Sequence, residues 1–331
     1  MACRLCLRAA FVPASGDLAR TAQITISDSA LRDLVARQGR RAYEDIQAGR
    51  YGPDWTSLDC TERTLITGAD GVMVPLVTEE QKKKRRTTEA KKRRKQGRSS
   101  TAKAGRPRQG SDGPYKEFKQ VSYYDTDKTH SYAVGTSGNC AALGRLMRRE
   151  ACKLKIDQAA HTYSVTDGAT WILRQYQKQL PMVKTNILDY YHLREHVKLT
   201  AWTLYGEGSA KAKAWQTDLM EQVWEHGPQA MLEKLGHYLS HYRSGPKAQA
   251  LRSLRDYVAP RATMTNYPAY RTLGYDCGSG PTESFCGTLT ARLKGRGMHW
   301  DKDNAESMMA LSSLYYSNLW HHYWHHQRSA A

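Results

Sequence analysis

The stretch Thr64-Leu-Ile-Thr-Gly-Ala-Asp-Gly-Val-Met-Val-Pro-Leu76 sets an acid, Asp70, inside an apolar, β-rich run. Two further segments carry acids in comparable places. His161-Thr-Tyr-Ser-Val-Thr-Asp167 ends a β-rich run on an acid. Pro281-Thr-Glu-Ser-Phe-Cys-Gly-Thr-Leu-Thr-Ala-Arg-Leu-Lys294 opens a helical run with Glu283. Carboxylates on separate elements can converge, hold two divalent cations, and bring them to the attacking and leaving oxygens of a phosphoryl transfer. Magnesium suits such a set because it takes oxygen ligands and few dedicated protein groups. Manganese is an acceptable substitute.

Outward from these words, the chain alternates. Residues 62–78 read as a hairpin with Asp70-Gly71 at or near its turn. Two strands follow between Phe118 and Val134, joined around Asp125-Thr-Asp-Lys128. Residues 140–157 have helical spacing at Leu143, Leu146 and Met147. The strand ending at Asp167 comes next, then a helix from Trp171 to Leu180 and a short strand, Asn186-Ile-Leu-Asp189. That order predicts an α/β sheet layered with helices. Between Thr200 and Asp276 the period turns purely helical, through Trp215, Leu219 and Val223, then Leu235, Tyr238, Leu239 and Tyr242, then Leu251 and Leu254. Gly227-Pro228 and Gly245-Pro246 separate these faces. A last amphipathic helix spans Asp303 to His322, with Met308, Leu311, Tyr315 and Leu319 on one side. Near the start, Ser27 or Asp28 caps a helix with Leu31, Leu34 and Val35 on one face, and Gly39 is its weak point. The division predicted is a helical module over 1–60, a core over 61–199 interrupted by a basic insertion at 81–113, a helical insertion over 200–276, and the rest of the core with a closing helix over 277–331.

Charge is concentrated in one place. The net charge is +18, and fourteen Lys and Arg lie between Lys82 and Arg108 against one acid, Glu89. Lys82, Lys83, Lys84, Arg85, Arg86, Lys91, Lys92, Arg93 and Arg94 form its densest part. Such a run predicts a solvated, disordered arm. It also predicts strong, salt-dependent, non-specific affinity for nucleic acid through counterion release. The same string reads equally as a nuclear-localisation signal. No run of about 18 apolar residues occurs, so no membrane span is expected. The N-terminus lacks a signal-peptide pattern, and seven irregularly placed cysteines do not form a secreted disulfide scaffold. A cytoplasmic, nucleoid-associated protein is the expectation. The Gly-x4-Gly-Lys-Ser/Thr loop is absent, so ATP is not expected.

Each candidate residue has an ordinary reading beside the chemical one. Asp70 could be a turn aspartate, Asp167 an N-cap for the Trp171 helix, and Glu283 a first-turn acid. Helical spacing sets Gly287, Thr290 and Lys294 on the stripe of Glu283, and Phe285, Leu289 and Leu293 on a core-facing side. Arg292, Lys294, Arg296 and His299 are candidate DNA-phosphate contacts, with Gly295 and Gly297 ending the helix. His192 is either a core histidine or a group that orders the site together with Asp189. Cys3-Arg-Leu-Cys6 has zinc-knuckle spacing without a second pair, so zinc binding there is a weak expectation. The tail His321-His-Tyr-Trp-His-His326 reads as an exposed, fraying end.

Four words in this order resemble DDE transposases of bacterial insertion sequences: Asp70-Gly-Val-Met-Val-Pro, Thr166-Asp-Gly-Ala-Thr-Trp171, Ile187-Leu-Asp-Tyr-Tyr-His192, and the block from Glu283 to Trp300. The Lys294-Gly-Arg-Gly-Met-His-Trp300 ending is most similar to the Kra-type (ISKra) branch. The resemblance covers roughly residues 60–320. It implies an RNase H-like core in which Asp70, Asp167 and Glu283 bind two magnesium ions. It also implies a helical insertion before the last acid, and a homo-oligomer acting on element ends and target DNA. Asp189-Tyr-Tyr-His192 matches an Asp-x-x-His word found after the last core strand in relatives. Cys3 and Cys6 would then be the second half of a longer Cys-rich module, and the chain an N-terminally truncated copy. A catalytically inactive DNA-binding relic and a structure-selective nuclease of the same fold are the alternative readings.

Overall fold

The computed structural model describes residues 1–97 and 109–329. Its centre is a five-stranded sheet ordered β3-β2-β1-β4-β5. The chain enters through helices α1 (Ala2–Cys6), α2 (Phe11–Ala22) and α3 (Asp28–Gln47), and then forms β1 (Thr64–Pro75), α4 (Glu79–Lys95), β2 (Tyr115–Tyr124) and β3 (Ser131–Thr136). Strands β1, β2 and β3 are antiparallel neighbours. Helix α5 (Cys140–Lys153) leads to β4 (His161–Thr166), and α6 (Thr170–Gln179) leads to β5 (Thr185–Leu188). Each of these strands is parallel to its inner neighbour. Three antiparallel strands extended by two parallel ones, with helices on both faces, make an RNase H-like α/β fold.

Residues 62–78 do not form a hairpin. They form one long strand in which Asp70 opposes Gln120 and Gly71 opposes Lys119. Neither Asp70 nor Gly71 takes the positive φ that a two-residue hairpin turn demands. The Asp-Gly pair is therefore mid-strand, paired on the β2 side throughout.

The sheet's pleat sorts side chains into two cores. Leu65 and Ala69 of β1, with Val121 and Tyr123 of β2, share a core with α5, α6, α3 and the C-terminal helices. Ile66, Tyr124, Tyr163, Val165 and Ile187 face the other way, into a core built by the helical insertion. That insertion is α7 (Tyr190–Tyr205), α8 (Ala210–His226), α9 (Pro228–His241), α10 (Gly245–Val258) and α11 (Tyr267–Thr272). It begins ten residues earlier than the periodicity from Thr200 indicates, because Asp189 caps α7 directly after β5. The chain returns to the sheet through α12 (Gly280–Thr290), α13 (Lys302–Tyr316) and α14 (Trp320–Ser329).

Other expectations are also revised. Helix α3 runs unbroken through Gly39, where an added Cβ would lie 2.8 Å from Ser307 Cβ. The glycine is thus the point of closest approach to α13, and the N-terminal helices share their core with it. The basic segment is helical over Glu79–Lys95, not disordered. Thr78 and Gln81 form a capping box, and acids begin the helix and bases end it, which complements the helix dipole. It buries no residue, and its tertiary anchors lie at its first turn, where Lys82 pairs with Asp301 and Glu79 accepts from Gly110 N. The remainder of the basic stretch, 98–108, lies outside the described residues. The final helix breaks at Ser317-Asn318, where Asn318 has φ 59°. Beyond it α14 buries Trp320 and Tyr323, so the tail is anchored and not a loose end.

One close approach sets the position of α12. Gly68 sits on β1 directly beneath Thr282, and a Cβ there would overlap the Thr282 hydroxyl and lie 2.8 Å from its Cβ. Thr282 is fully engaged: its hydroxyl meets Ser122 Oγ at 2.9 Å, and its carbonyl accepts from Gln120 Nε2 at 3.0 Å. We therefore expect Gly68→Ala to destabilise the protein by about 1–3 kcal/mol, the usual cost of overpacking. Adding Thr282→Ala should recover part of that loss, and urea unfolding of both single variants and the double variant would measure it. An unchanged midpoint in Gly68→Ala would show that α12 does not rest on β1 as described.

Candidate active site

The strand register brings the acids together. The last paired residues of β1 and β4 are Thr67 and Ser164. Continued three residues, that register sets Asp70 opposite Asp167. The β4–β5 register, ending at Thr166 opposite Leu188, sets Asp167 opposite Asp189 in the same way. Laterally paired residues share a face of the sheet. A row of Asp70, Asp167 and Asp189 thus lies across three parallel strands, with Asp167 and Asp189 just past the ends of β4 and β5 and Asp70 beside them within the longer β1.

Glu283 joins from above, in the first turn of α12. Its carboxylate accepts from Ser279 Oγ at 2.8 Å and is exposed. One turn on, the buried Cys286 thiol touches the same cluster. Its acidity is suppressed by burial and then by the neighbouring Asp70 carboxylate, with Glu283 adding to the effect and Lys294 opposing it. One thiol therefore senses Asp70, Glu283 and Lys294 together. A thiol so firmly protonated is no nucleophile.

Asp167 carries the clearest electrostatic signature. Burial raises its carboxyl above the ordinary value of 3.8, a hydrogen bond from Ala169 N at 2.8 Å lowers it, and the Asp70 charge raises it again. That bond lies outside α6, whose N-cap is Ala169, so Asp167 is not the helix cap its position permits. Among the described residues no Lys or Arg forms an ion pair with Asp70, Asp167 or Glu283. Nor do the three carboxylates lie within 4.8 Å of one another as a set, as like charges repel. An oxygen-rich, acidic group with no direct ion pair among the described residues is the kind of donor set a hard divalent cation takes. Asp70, Asp167 and Glu283 fit magnesium or manganese on that ground.

Asp189 plays a different part. It is 1% exposed. One carboxylate oxygen accepts the His192 main-chain N–H at 2.6 Å, and the other accepts the N–H of Ser279. It thereby caps α7 and ties the strand end to the segment that launches α12. Its bond to His192 is through the backbone. The His192 ring lies 5.1 Å from the His196 ring and tends to lower the carboxyl of Asp167 by its charge.

The helical insertion grips the loop after Asp167. Tyr257 OH donates to the Asp167 carbonyl at 3.2 Å. Arg261 donates twice to the Gly168 carbonyl, at 3.2 and 3.1 Å, and stacks on Tyr257 at 4.3 Å. Gly168 has φ +73° and meets both Arg261 and Leu188 at its Cβ position, so the turn requires glycine.

The basic candidates divide. Lys83, Arg85, Lys91, Lys92, Arg93 and Arg94 are exposed on α4. Lys84 and Arg86 pair with Glu80 and Glu79. Lys82 is held against Asp301 at 2.7 Å, which ties α4 to the block after α12. Lys294, Arg296 and His299 are exposed there. Arg292 is not a DNA contact. It is 7% exposed, donates to the Cys6 and Ala9 carbonyls, and lies over the Phe11 and Trp300 rings. The cause is that α12 ends at Thr290; the backbone then turns and sends Arg292 inward. Thr290 is likewise buried, so the stripe beside Glu283 keeps only Gly287 and Lys294 outside. Cys3 and Cys6 are buried in the core, where desolvation pushes both thiols up to about 11. Among the described residues they join no group of three metal-ligating side chains.

Sequence reasoning passed over Gly68, Ser279, Thr282, Tyr257 and Arg261. Only Gly68, an isolated glycine within a strand run, carries a signal of close backbone approach. The others are recognisable only once the sheet and insertion are assembled.

No family model matches the chain, and no curated protein matches it. Among solved structures it is similar to one described as a Drosophila P element transposase strand transfer complex, at 11% identity and a TM-score of 0.41, over 95% of this chain and 90% of that one.

Because Asp167 has a raised carboxyl, its folded form favours the proton. The stability this brings is complete below the ordinary value of 3.8 and is lost as pH rises through the raised folded value. In chelator-treated protein, Asp167→Asn should therefore melt higher than wild type at neutral pH, with the gap closing as pH falls into the acid range. A lower melting temperature for Asp167→Asn at pH 7 would contradict this electrostatic picture.

Proposed function

We propose that the protein is a DDE transposase of an insertion sequence, a polynucleotidyl transferase that cleaves DNA at element ends and joins the freed ends to target DNA. The observation that carries this reading is the in-register pair Asp70, within β1, and Asp167, just past the end of β4, with Glu283 delivered over them by α12. Asp70, Asp167 and Glu283 would hold two magnesium ions. Bound there, divalent cations supply Lewis acidity to the scissile phosphodiester and charge compensation to the attacking and leaving oxygens.

The chain's own groups do the rest. Asp189 and Ser279 fix the launch of α12, and Thr282 fixes its height over β1. Tyr257 and Arg261 hold the Asp167-Gly168 turn and so fix the backbone from which Asp167 projects. Lys294 stands beside the acid cluster and would meet a phosphate of the strand being cut. Arg296 and His299 continue that exposed surface, and α4 extends from its root at Lys82–Asp301. Phosphate contacts of this kind position a duplex without reading its sequence. Recognition of element ends, and assembly of more than one copy on DNA, belong to the same proposal.

Two experiments test it. Nicking and strand transfer on DNA bearing the inverted repeats that flank the gene should require magnesium or manganese. Asp70→Asn, Asp167→Asn and Glu283→Gln should each lose at least about a hundredfold, the scale of removing one group that stabilises transition-state charge. Full activity in Asp167→Asn would sink the reading. Cutting of branched DNA regardless of ends would instead favour a structure-selective nuclease, and binding without cleavage an inactive relic.

The second experiment separates affinity from chemistry. Replacing Lys83, Arg85, Lys91, Lys92, Arg93 and Arg94 by Gln should flatten the salt dependence of duplex binding, by ~0.9 in log–log slope for each phosphate that the protein no longer neutralises. The cleavage rate at saturating protein should hold. Equal salt slopes for wild type and variant would show that α4 does not touch DNA.

A further inference from the structure

A second cluster of ligating side chains lies at the opposite end of the sheet from the acids. Cys60 follows the short 3-10 turn Ser57–Asp59 and precedes β1. Asp125 directly follows β2, and His130 directly precedes β3. The antiparallel register brings the start of β1 beside the end of β2, so the three side chains meet although they come from separate segments. One ligand atom from each lies within 4.8 Å of the others, and among the described residues this is the one group of three or more His, Cys, Asp and Glu that does so. Roughly 17 Å of strand, five residues at ~3.3 Å each, separates Leu65 at this end from Asp70 at the other.

We propose that Cys60, Asp125 and His130 form a zinc-type metal site that clamps the start of β1 to the β2–β3 hairpin. Burial comes first: Asp125 is 0% and Cys60 6% exposed. A fully buried carboxylate needs a cationic partner or a complete set of hydrogen bonds. Asp125 has neither a Lys nor an Arg partner among the described residues. One of its oxygens accepts the His130 main-chain N–H at 3.1 Å, which closes the hairpin. The other faces His130 Nδ1 at 2.9 Å. A hairpin cap accounts for Asp125 and His130. It does not account for a cysteine whose sulfur converges on the same point and whose hydrogen bond is a long one, 3.7 Å to the Thr56 carbonyl.

The donor set selects the ion. One sulfur, one imidazole nitrogen and one carboxylate oxygen suit zinc, whereas magnesium and calcium take oxygen alone. Tetrahedral zinc with bonds of about 2.0–2.3 Å holds its ligand atoms about 3.3–3.7 Å apart. To complete the geometry, the Asp125–His130 Nδ1 contact at 2.9 Å would open by about 0.4 Å and the Cys60 sulfur would come to about 3.7 Å from both. Three protein ligands leave a fourth position open. It would face outward beside His130, whose side chain is 29% exposed, and take a water. Trp55 flanks the imidazole, with ring centroids 5.5 Å apart, and limits how far it can swing away.

Cobalt(II) is the probe, added to chelator-treated full-length protein. The expected result is a thiolate-to-cobalt charge-transfer band that saturates at one equivalent per chain and is displaced by zinc; cobalt taken up by the carboxylates gives no such band. Cys60→Ser should abolish the band. His130→Gln, at a partly exposed position that tolerates change, should weaken cobalt binding by more than about tenfold, the scale of disturbing a group that orders a metal site. The double variant Cys3→Ser/Cys6→Ser should keep the band. Zinc should raise the melting temperature of wild type and leave that of His130→Gln unmoved. Absence of the band in wild type, its persistence in Cys60→Ser, or undiminished affinity in His130→Gln would overturn the proposal. These readouts are independent of DNA cleavage, so the site stands or falls separately from the transposase reading.

Discussion

The contact on which the site depends is the meeting of Gly68 with Thr282. A strand and a helix more than two hundred residues apart in sequence touch where one has no side chain and the other has a hydroxyl bonded to the sheet. Asp70 lies two residues beyond the glycine and Glu283 one residue beyond the threonine. The separation of the two carboxylates is therefore set by a buried, hydrogen-bonded contact and not by the acids themselves. That matters because the acids repel one another. Without an independent anchor, α12 would drift outward until the charges were satisfied by water.

Two further devices resist the same repulsion. Asp189 completes the row of three aspartates but is withdrawn from it, with both oxygens spent on main-chain N–H groups of His192 and Ser279. Both oxygens have hydrogen-bond donors, so the side chain can be buried beside Asp167 as a brace. The helical insertion supplies the third device. Its Arg261 and Tyr257 hold the carbonyls of Gly168 and Asp167 and leave the Asp167 carboxylate itself unpaired. The insertion thus positions an acid without neutralising it. A guanidinium aimed at the carboxylate would have stabilised the resting protein and competed with any cation.

Much of this was legible in the sequence. The strand and helix order from Phe118 to Asp189 and the purely helical stretch that follows it can be read from periodicity. The failures have physical causes. Asp70-Gly71 has turn composition, but pairing with Lys119 and Gln120 along β2 overrode it. The basic run has the composition of disorder, yet a capping box, well-placed end charges and a tether from Lys82 to Asp301 sustain α4 without burying any of its residues. Arg292 has the look of a phosphate contact, and only the end of α12 at Thr290 turns it into the core. Gly39 resembles a helix breaker and proves to be the space α13 needs. At Asp70, Arg292 and Gly39 a local preference yielded to a tertiary contact that no single segment encodes, and at α4 composition yielded to end effects.

The central claim is that Asp70, Asp167 and Glu283 are one cation-binding centre. Anomalous diffraction from crystals grown with manganese and a short duplex tests it most directly. The prediction is manganese peaks between these three side chains, at about 2.0–2.3 Å from their carboxylate oxygens, with Asp189 still bound to Ser279. Ordered manganese elsewhere in the crystal, with Asp70 and Asp167 left without a peak, would contradict it.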